Sequence, residues 1–136
     1  MGRTWHVHLW LLLFAVVSAA AAQTKDSGEA FIGTWNGSWG GAGEGGGFDL
    51  TLEKTQDGTV TGRVSVTGDP TYKATFKSLS FDGNKMKAAY DFPPNADAEV
   101  VLTAAFEGKT AKGAWSLREK ATGTEAFSGT WSVEKK

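Results

Sequence analysis

The sequence predicts an all-β domain: an eight-stranded antiparallel up-and-down barrel. Three observations carry this prediction. Apolar and polar residues alternate along most of the chain after residue 30, three tight turns pair an acidic residue with glycine, and no segment has a helical period. An apolar face on every strand favours closure into a barrel, which leaves no free sheet edge. A two-sheet β-sandwich is the alternative, because periodicity does not report closure.

The chain begins with the pattern of a secretory signal peptide. A polar opening, an apolar run over 9–17 and small residues up to Ala22 predict a cleaved signal at 1–22. The apolar stretch is shorter than the roughly 20 residues that a membrane-spanning helix needs. We therefore expect a secreted or periplasmic protein with a polar N-terminal lead at 23–30 and a barrel domain at 31–136.

Composition excludes several kinds of chemistry. The sequence has no cysteine, and both histidines, His6 and His8, lie in the predicted signal. The mature chain therefore lacks imidazole bases, thiolate nucleophiles and the usual zinc or copper ligands, and we expect no cofactor and no metal. The net charge of −1 is spread along the chain without a basic patch, which argues against nucleic acid as a partner.

The strands follow from alternation between turns. The turn glycines Gly58, Gly83 and Gly108 are evenly spaced along the chain, which indicates a regular succession of hairpins. The predicted strands are 31–39, 48–56, 59–67, 72–81, 84–92, 98–107, 110–119 and 126–134. In the fourth strand Phe76 and Leu79 cannot share a face, which predicts a β-bulge near Lys77 or Ser78.

The two ends of this barrel are predicted to differ. All three tight turns fall at one end, whereas the longer, glycine- and proline-rich connections at 40–47, 68–71, 93–97 and 120–125 fall at the other. Loops at one end of a rigid scaffold commonly carry function. We expect a floor closed by Trp35 and Trp131 and a mouth framed by the longer loops.

Large apolar side chains with inward parity mark the candidate ligand wall. An apolar pocket with a few polar groups is the usual form of a small-molecule site, and two tyrosines could orient a ligand with their hydroxyls. The predicted ligand-binding residues are Trp39, Phe48, Tyr72, Phe76, Tyr90, Phe92, Trp115, Leu117 and Phe127. An eight-stranded barrel is only just wide enough for its own side chains, so a filled interior is an equal alternative.

The first strands resemble those of a known group of exported barrels. The runs Gly-Thr-Trp-Asn-Gly-Ser at 33–38, Phe-Asp-Leu-Thr at 48–51 and Asp-Gly-Thr-Val-Thr-Gly at 57–62 resemble the calycins, the lipocalins and avidins, and look most like the start of streptavidin-type proteins. The resemblance implies an eight-stranded barrel that binds a small ligand. It does not extend to biotin, because Gly37 takes the inward position of the avidin asparagine while Asn36 points outward.

These observations predict an exported, non-catalytic barrel that binds a small apolar or aromatic molecule at its mouth. The polar outer face predicts a monomer, and lysines on that face argue against stable membrane insertion after signal removal. One alternative is a cofactor-free enzyme of the isomerase or cyclase type that uses carboxylates, with Glu119 as the acid whose parity points inward. The other is a filled structural or interaction domain.

Overall fold

The computed structural model describes residues 28–136, which form nine β-strands preceded by one short 3-10 helix, Glu29–Phe31. The strands are β1 Gly33–Gly41, β2 Glu44–Lys54, β3 Val60–Val66, β4 Tyr72–Thr75, β5 Ser78–Asp82, β6 Lys85–Asp91, β7 Ala98–Glu107, β8 Thr110–Glu119 and β9 Glu125–Lys135. The predicted signal peptide at 1–22 and most of the predicted lead lie outside the described residues. Within 28–136, no helix combines the length and apolar character needed to span a membrane.

All nine strands belong to one antiparallel sheet. Their spatial order is β4-β3-β2-β1-β9-β8-β7-β6-β5, so neighbours are successive in the chain except where β1 pairs with β9. The sheet curls into a half-barrel, with the buried apolar residues gathered on its inner face. The predicted all-β, up-and-down architecture is confirmed, and the described residues hold a single curled sheet rather than two packed sheets.

The predicted fourth strand is divided into two. The backbone N–H of Phe76 donates to the Gly62 carbonyl on β3 at 2.9 Å, and that of Lys77 donates to the Ala89 carbonyl on β6 at 2.8 Å. The chain thus changes from one pairing partner to the other across a single peptide bond. The irregularity that the parity of Phe76 and Leu79 predicts is present as a strand break, which raises the strand count from eight to nine.

The prediction of a loop over 40–47 is wrong. Strands β1 and β2 run through this glycine-rich stretch and pair as far as Gly41 and Glu44. A two-residue turn joins them, with Ala42 at φ +57° and Gly43 at φ +79°. Two successive residues at positive φ match the right-handed twist of the flanking strands, so a tight hairpin forms where composition alone indicated a loop.

Aromatic rings fill the end of the sheet that carries the predicted tight turns. Phe31, which lies in the 3-10 helix rather than in the predicted first strand, meets Phe81 and Phe106 with ring centroids 5.5 and 4.6 Å away. Trp35 meets Phe106 edge-on at 4.9 Å, and its indole N–H donates to the Phe31 carbonyl at 3.0 Å. These contacts leave Trp35 only 1% exposed. We call Phe31, Trp35, Phe81 and Phe106 the packed end.

Trp35 and Trp131 do not form the predicted plug. Register pairs Trp131 with Trp39 and Trp35 with Lys135, so the two tryptophans lie at different heights on adjacent strands. Trp131 is buried against Phe48, with ring centroids 4.9 Å apart. Both residues therefore belong to the core, but only Trp35 closes the packed end.

Two inward glycines let adjacent strands approach closely as the sheet curls. A Cβ on Gly37 would lie 1.8 Å from the Ser132 carbonyl oxygen, and a Cβ on Gly113 would lie 1.7 Å from that of Thr103. No side chain fits at such distances. Glycine at these positions therefore permits the strong local bending that a curled sheet requires.

Candidate functional site

A pocket of about 280 Å³ opens at the end of the sheet opposite the packed end. Its walls come from the inner face of β1, β2, β3, β4, β6, β7, β8 and β9, and its rim comes from the β1–β2 turn and the β3–β4 connection. The lining residues are Trp39, Gly41, Ala42, Glu44, Phe48, Val66, Asp69, Pro70, Tyr72, Tyr90, Phe92, Val100, Leu102, Trp115, Leu117 and Phe127. The interior is thus hollow at this end.

Eight of the nine predicted ligand-wall residues line this pocket. The exception is Phe76, which is buried beneath it, with its ring stacked on Tyr90 at a centroid distance of 6.1 Å. Phe76 also packs over Gly62, where a Cβ would lie 2.7 Å from its ring. Its role is to support Tyr90 from below rather than to line the pocket.

Sequence reasoning left out some of the wall. Val66, Val100 and Leu102 have inward parity and line the pocket beside the aromatic residues. Parity placed them on the apolar face, but nothing in the sequence separates an aliphatic pocket residue from a core residue. Their position along the strand was the only available signal.

Two tryptophans form one side of the pocket. The rings of Trp39 and Trp115 meet edge-to-face, with centroids 5.8 Å apart and an interplanar angle of 82°. Both indole N–H groups are already used, because Trp39 donates to the Thr67 carbonyl and Trp115 to the Gly40 carbonyl, each at 3.0 Å. These bonds fix the rings and leave their carbon faces to the pocket.

A glycine makes the position of Trp115 possible. A Cβ on Gly129 would lie 2.0 Å from the Gly40 carbonyl oxygen and 2.7 Å from the Trp115 indole nitrogen. The same carbonyl accepts the Trp115 hydrogen bond. Gly129 therefore keeps open the space in which the indole meets its acceptor.

Tyr72, Tyr90 and Phe92 form a second aromatic group in the wall. Phe92 meets Tyr72 edge-on at 5.4 Å, and the two tyrosine rings lie 6.0 Å apart. The two tyrosine hydroxyl oxygens are 2.7 Å apart, a hydrogen bond in which either can donate. Burial raises the pKa of Tyr90 far above its ordinary value and also raises that of Tyr72, so both hydroxyls stay protonated at neutral pH.

The rim combines acidic and apolar residues. Glu44 and Asp69 lie on it, and no lysine or arginine is among the lining residues. Phe127 lies at the lip with 56% of its surface exposed, the one exposed large hydrophobic residue within 28–136. An exposed aromatic ring next to an apolar pocket extends the apolar surface out to solvent.

Glu119 does not reach the pocket. It is exposed and accepts a hydrogen bond from the Thr122 hydroxyl at 3.1 Å. Pairing with β7 stays regular to the end of β8, where Glu119 lies opposite Ala98, so the register shift between β8 and β9 falls on β9 and does not change parity along β8. Glu119 lies outside the pocket because it is the last residue of the strand. The expectation that this carboxylate reaches the interior is therefore wrong.

The rest of the described surface adds no competing metal site. Residues 28–136 contain no group of three or more histidine, cysteine, aspartate or glutamate side chains placed to hold a metal ion. The side-chain amide of Asn36, in the stretch that resembles streptavidin-type proteins, donates to the Asp49 carboxylate at 2.8 Å, and neither residue lines the pocket.

The chain matches no protein-family model, no curated protein sequence and no solved structure.

Proposed function

We propose that this protein is an exported, non-catalytic carrier or sensor that binds a small apolar or aromatic molecule in the pocket at the open end of the sheet. The observation that carries the proposal is the hollow itself, about 280 Å³ in volume and walled mainly by aromatic and aliphatic side chains. An engineered apolar cavity of about 150 Å³ binds benzene. A pocket almost twice that size suits a molecule of about two rings.

The fixed indoles support binding over simple packing. Trp39 and Trp115 are held by hydrogen bonds to the backbone, so the pocket does not depend on a ligand to keep its shape. A wall that is already ordered loses little conformational entropy on binding. Relation to the calycins is part of the same proposal, since the curled up-and-down sheet is compatible with their barrel.

The direct test is titration with phenylnaphthylamine, a neutral dye whose emission rises in apolar surroundings. We expect saturable binding to the intact protein, accompanied by quenching of tryptophan emission. Leu117→Trp fills the pocket from β8 and should weaken binding about tenfold or more. Thr103→Trp places the same indole on the exposed outer face and should leave binding unchanged.

Thermal unfolding of both variants separates loss of binding from loss of fold. Equal binding by both folded variants, or no saturable signal with the unmodified protein, would overturn the proposal. A filled structural domain gives the second of these results.

A further inference from the structure

The hydrogen-bonding capacity of the tyrosine pair is not fully used inside the protein. Two hydroxyls carry two hydrogens, and the bond between Tyr72 and Tyr90 uses one of them. Within residues 28–136 the structure gives neither hydroxyl a second hydrogen-bond partner. One phenolic hydrogen is therefore left to donate to whatever occupies the pocket.

Burial decides which tyrosine keeps the free hydrogen. Tyr90 is only 1% exposed, whereas Tyr72 is half-buried and lies where β4 begins at the open end. An unsatisfied donor costs more free energy the more deeply it is buried. The favoured arrangement has Tyr90 donating to Tyr72, which leaves the Tyr72 hydrogen facing the pocket.

The charges around the pocket limit the ligand further. Its only ionisable side chains besides the tyrosines are Glu44 and Asp69, and neither lysine nor arginine lines it. A carboxylate or sulfate ligand would meet like charge at the rim and find no cation inside. The site therefore disfavours anions.

We propose that Tyr72 is a specificity-determining donor, and that the site selects neutral molecules of about two rings that carry a hydrogen-bond-accepting oxygen, such as a carbonyl. This inference rests on the proposed function, because it assigns the ligand class of the same pocket. It adds a requirement that a merely apolar pocket lacks: one oxygen placed to accept from the Tyr72 hydroxyl.

Three naphthalenes of similar shape test this selection by displacement of phenylnaphthylamine. The probes are 2-acetylnaphthalene with an acceptor oxygen, 2-ethylnaphthalene without one, and 2-naphthoate with a charge. The measured quantity is the ratio of dissociation constants for the ethyl and acetyl compounds. In the Tyr72→Phe/Tyr90→Phe double variant this preference for the acetyl compound should fall about 2- to 12-fold, the range expected for one net hydrogen bond.

Thr103→Phe on the exposed outer face is the control and should keep the preference of the unmodified protein. Tyr90→Phe tests which hydroxyl donates: because Tyr72 keeps its hydrogen, most of the preference for the acetyl compound should remain. Naphthoate should bind weakest throughout. Binding of both neutral probes with an unchanged preference in the double variant would overturn the role of Tyr72. Naphthoate binding as tightly as the acetyl compound would overturn the exclusion of anions, whereas no displacement by any probe would count against the proposed function itself.

Discussion

Trp35 and Trp39 both lie on β1 and both have inward parity, yet Trp35 is buried in the core and Trp39 lines the pocket. Trp35 is 1% exposed and touches Phe106 and the carbonyl of Phe31. Trp39 is half-buried and borders the pocket. Four residues along one strand separate a solid core from a cavity.

The difference shows that the number of aromatic residues does not decide whether a small curled sheet is filled. At the packed end the 3-10 helix, which is not part of the sheet, places Phe31 against both Phe81 and Phe106. At the open end no segment within residues 28–136 covers the rings in this way, and the indole N–H bonds to Thr67 and Gly40 hold them at the wall. One end is filled because the 3-10 helix adds a ring to it. The other end stays open because hydrogen bonds hold the rings of Trp39 and Trp115 at the wall.

The largest expected contrast comes from truncating the two tryptophans separately. Trp35→Ala should lower the free energy of unfolding by about 3–5 kcal/mol, because it leaves a large cavity among buried rings. Trp39→Ala should lower it by only about 1–2 kcal/mol, because the ring already borders open space, and it should abolish dye binding. Urea unfolding followed by circular dichroism measures both values. Equal losses of unfolding free energy in the two variants would mean that the two ends of the sheet are packed alike.

A smaller effect is expected at the glycine that accommodates Trp115. Gly129→Ala forces a methyl group against the Gly40 carbonyl and should cost about 1–3 kcal/mol as an overpacking change. Gly40→Ala is the matched control, because its Cβ would meet nothing closer than the Glu44 carbonyl oxygen at 3.8 Å. Urea unfolding and Trp115 emission should both change in the first variant and hardly in the second. A larger loss of unfolding free energy in Gly40→Ala than in Gly129→Ala would contradict the role of Gly129 in accommodating the hydrogen bond from Trp115 to the Gly40 carbonyl.

The fold was predictable because alternation and turn glycines survive in the sequence as patterns. The hairpin at 40–47 was not, since glycines leave no side-chain alternation to follow. Glu119 was misplaced because parity gives the face of the sheet but not whether a residue at the end of a strand is covered, and Glu119 is the last residue of β8. The tyrosine pair joins residues 18 apart through their hydroxyls, a contact that depends on ring placement across the interior rather than on any local pattern.

The smallest predicted effects are in the pH dependence, with one acid at each end. Hydrogen bonds from the Thr55 and Thr59 side chains lower the pKa of Asp57 in the β2–β3 turn, and those from Lys77 and Lys120 lower the pKa of Asp91 at the end of β6. A carboxylate with a lowered pKa stabilises the fold above its unfolded pKa, and that contribution is lost as pH falls through the folded value. Asp57→Asn and Asp91→Asn should therefore each reduce the loss of unfolding free energy between about pH 5 and pH 3.

Urea unfolding at a series of pH values checks this prediction. Lys87→Ala, which removes an exposed charge of β6 without a recorded ion pair among the described residues, is the control and should keep the acid sensitivity of the unmodified protein. If the free energy of unfolding fell with pH as steeply in both aspartate variants as in the unmodified protein, the hydrogen bonds to Asp57 and Asp91 would not stabilise the fold.

The most direct test of a sheet packed at one end and hollow at the other is fluorine NMR of fluorotryptophan-labelled protein titrated with phenylnaphthylamine. Single Trp→Phe variants assign the resonances of Trp35, Trp39, Trp115 and Trp131. The account predicts large shifts for Trp39 and Trp115, which line the pocket, and almost none for Trp35 in the packed end. Equal shifts for Trp35 and Trp39, or no shift at either pocket tryptophan while the dye binds, would contradict it.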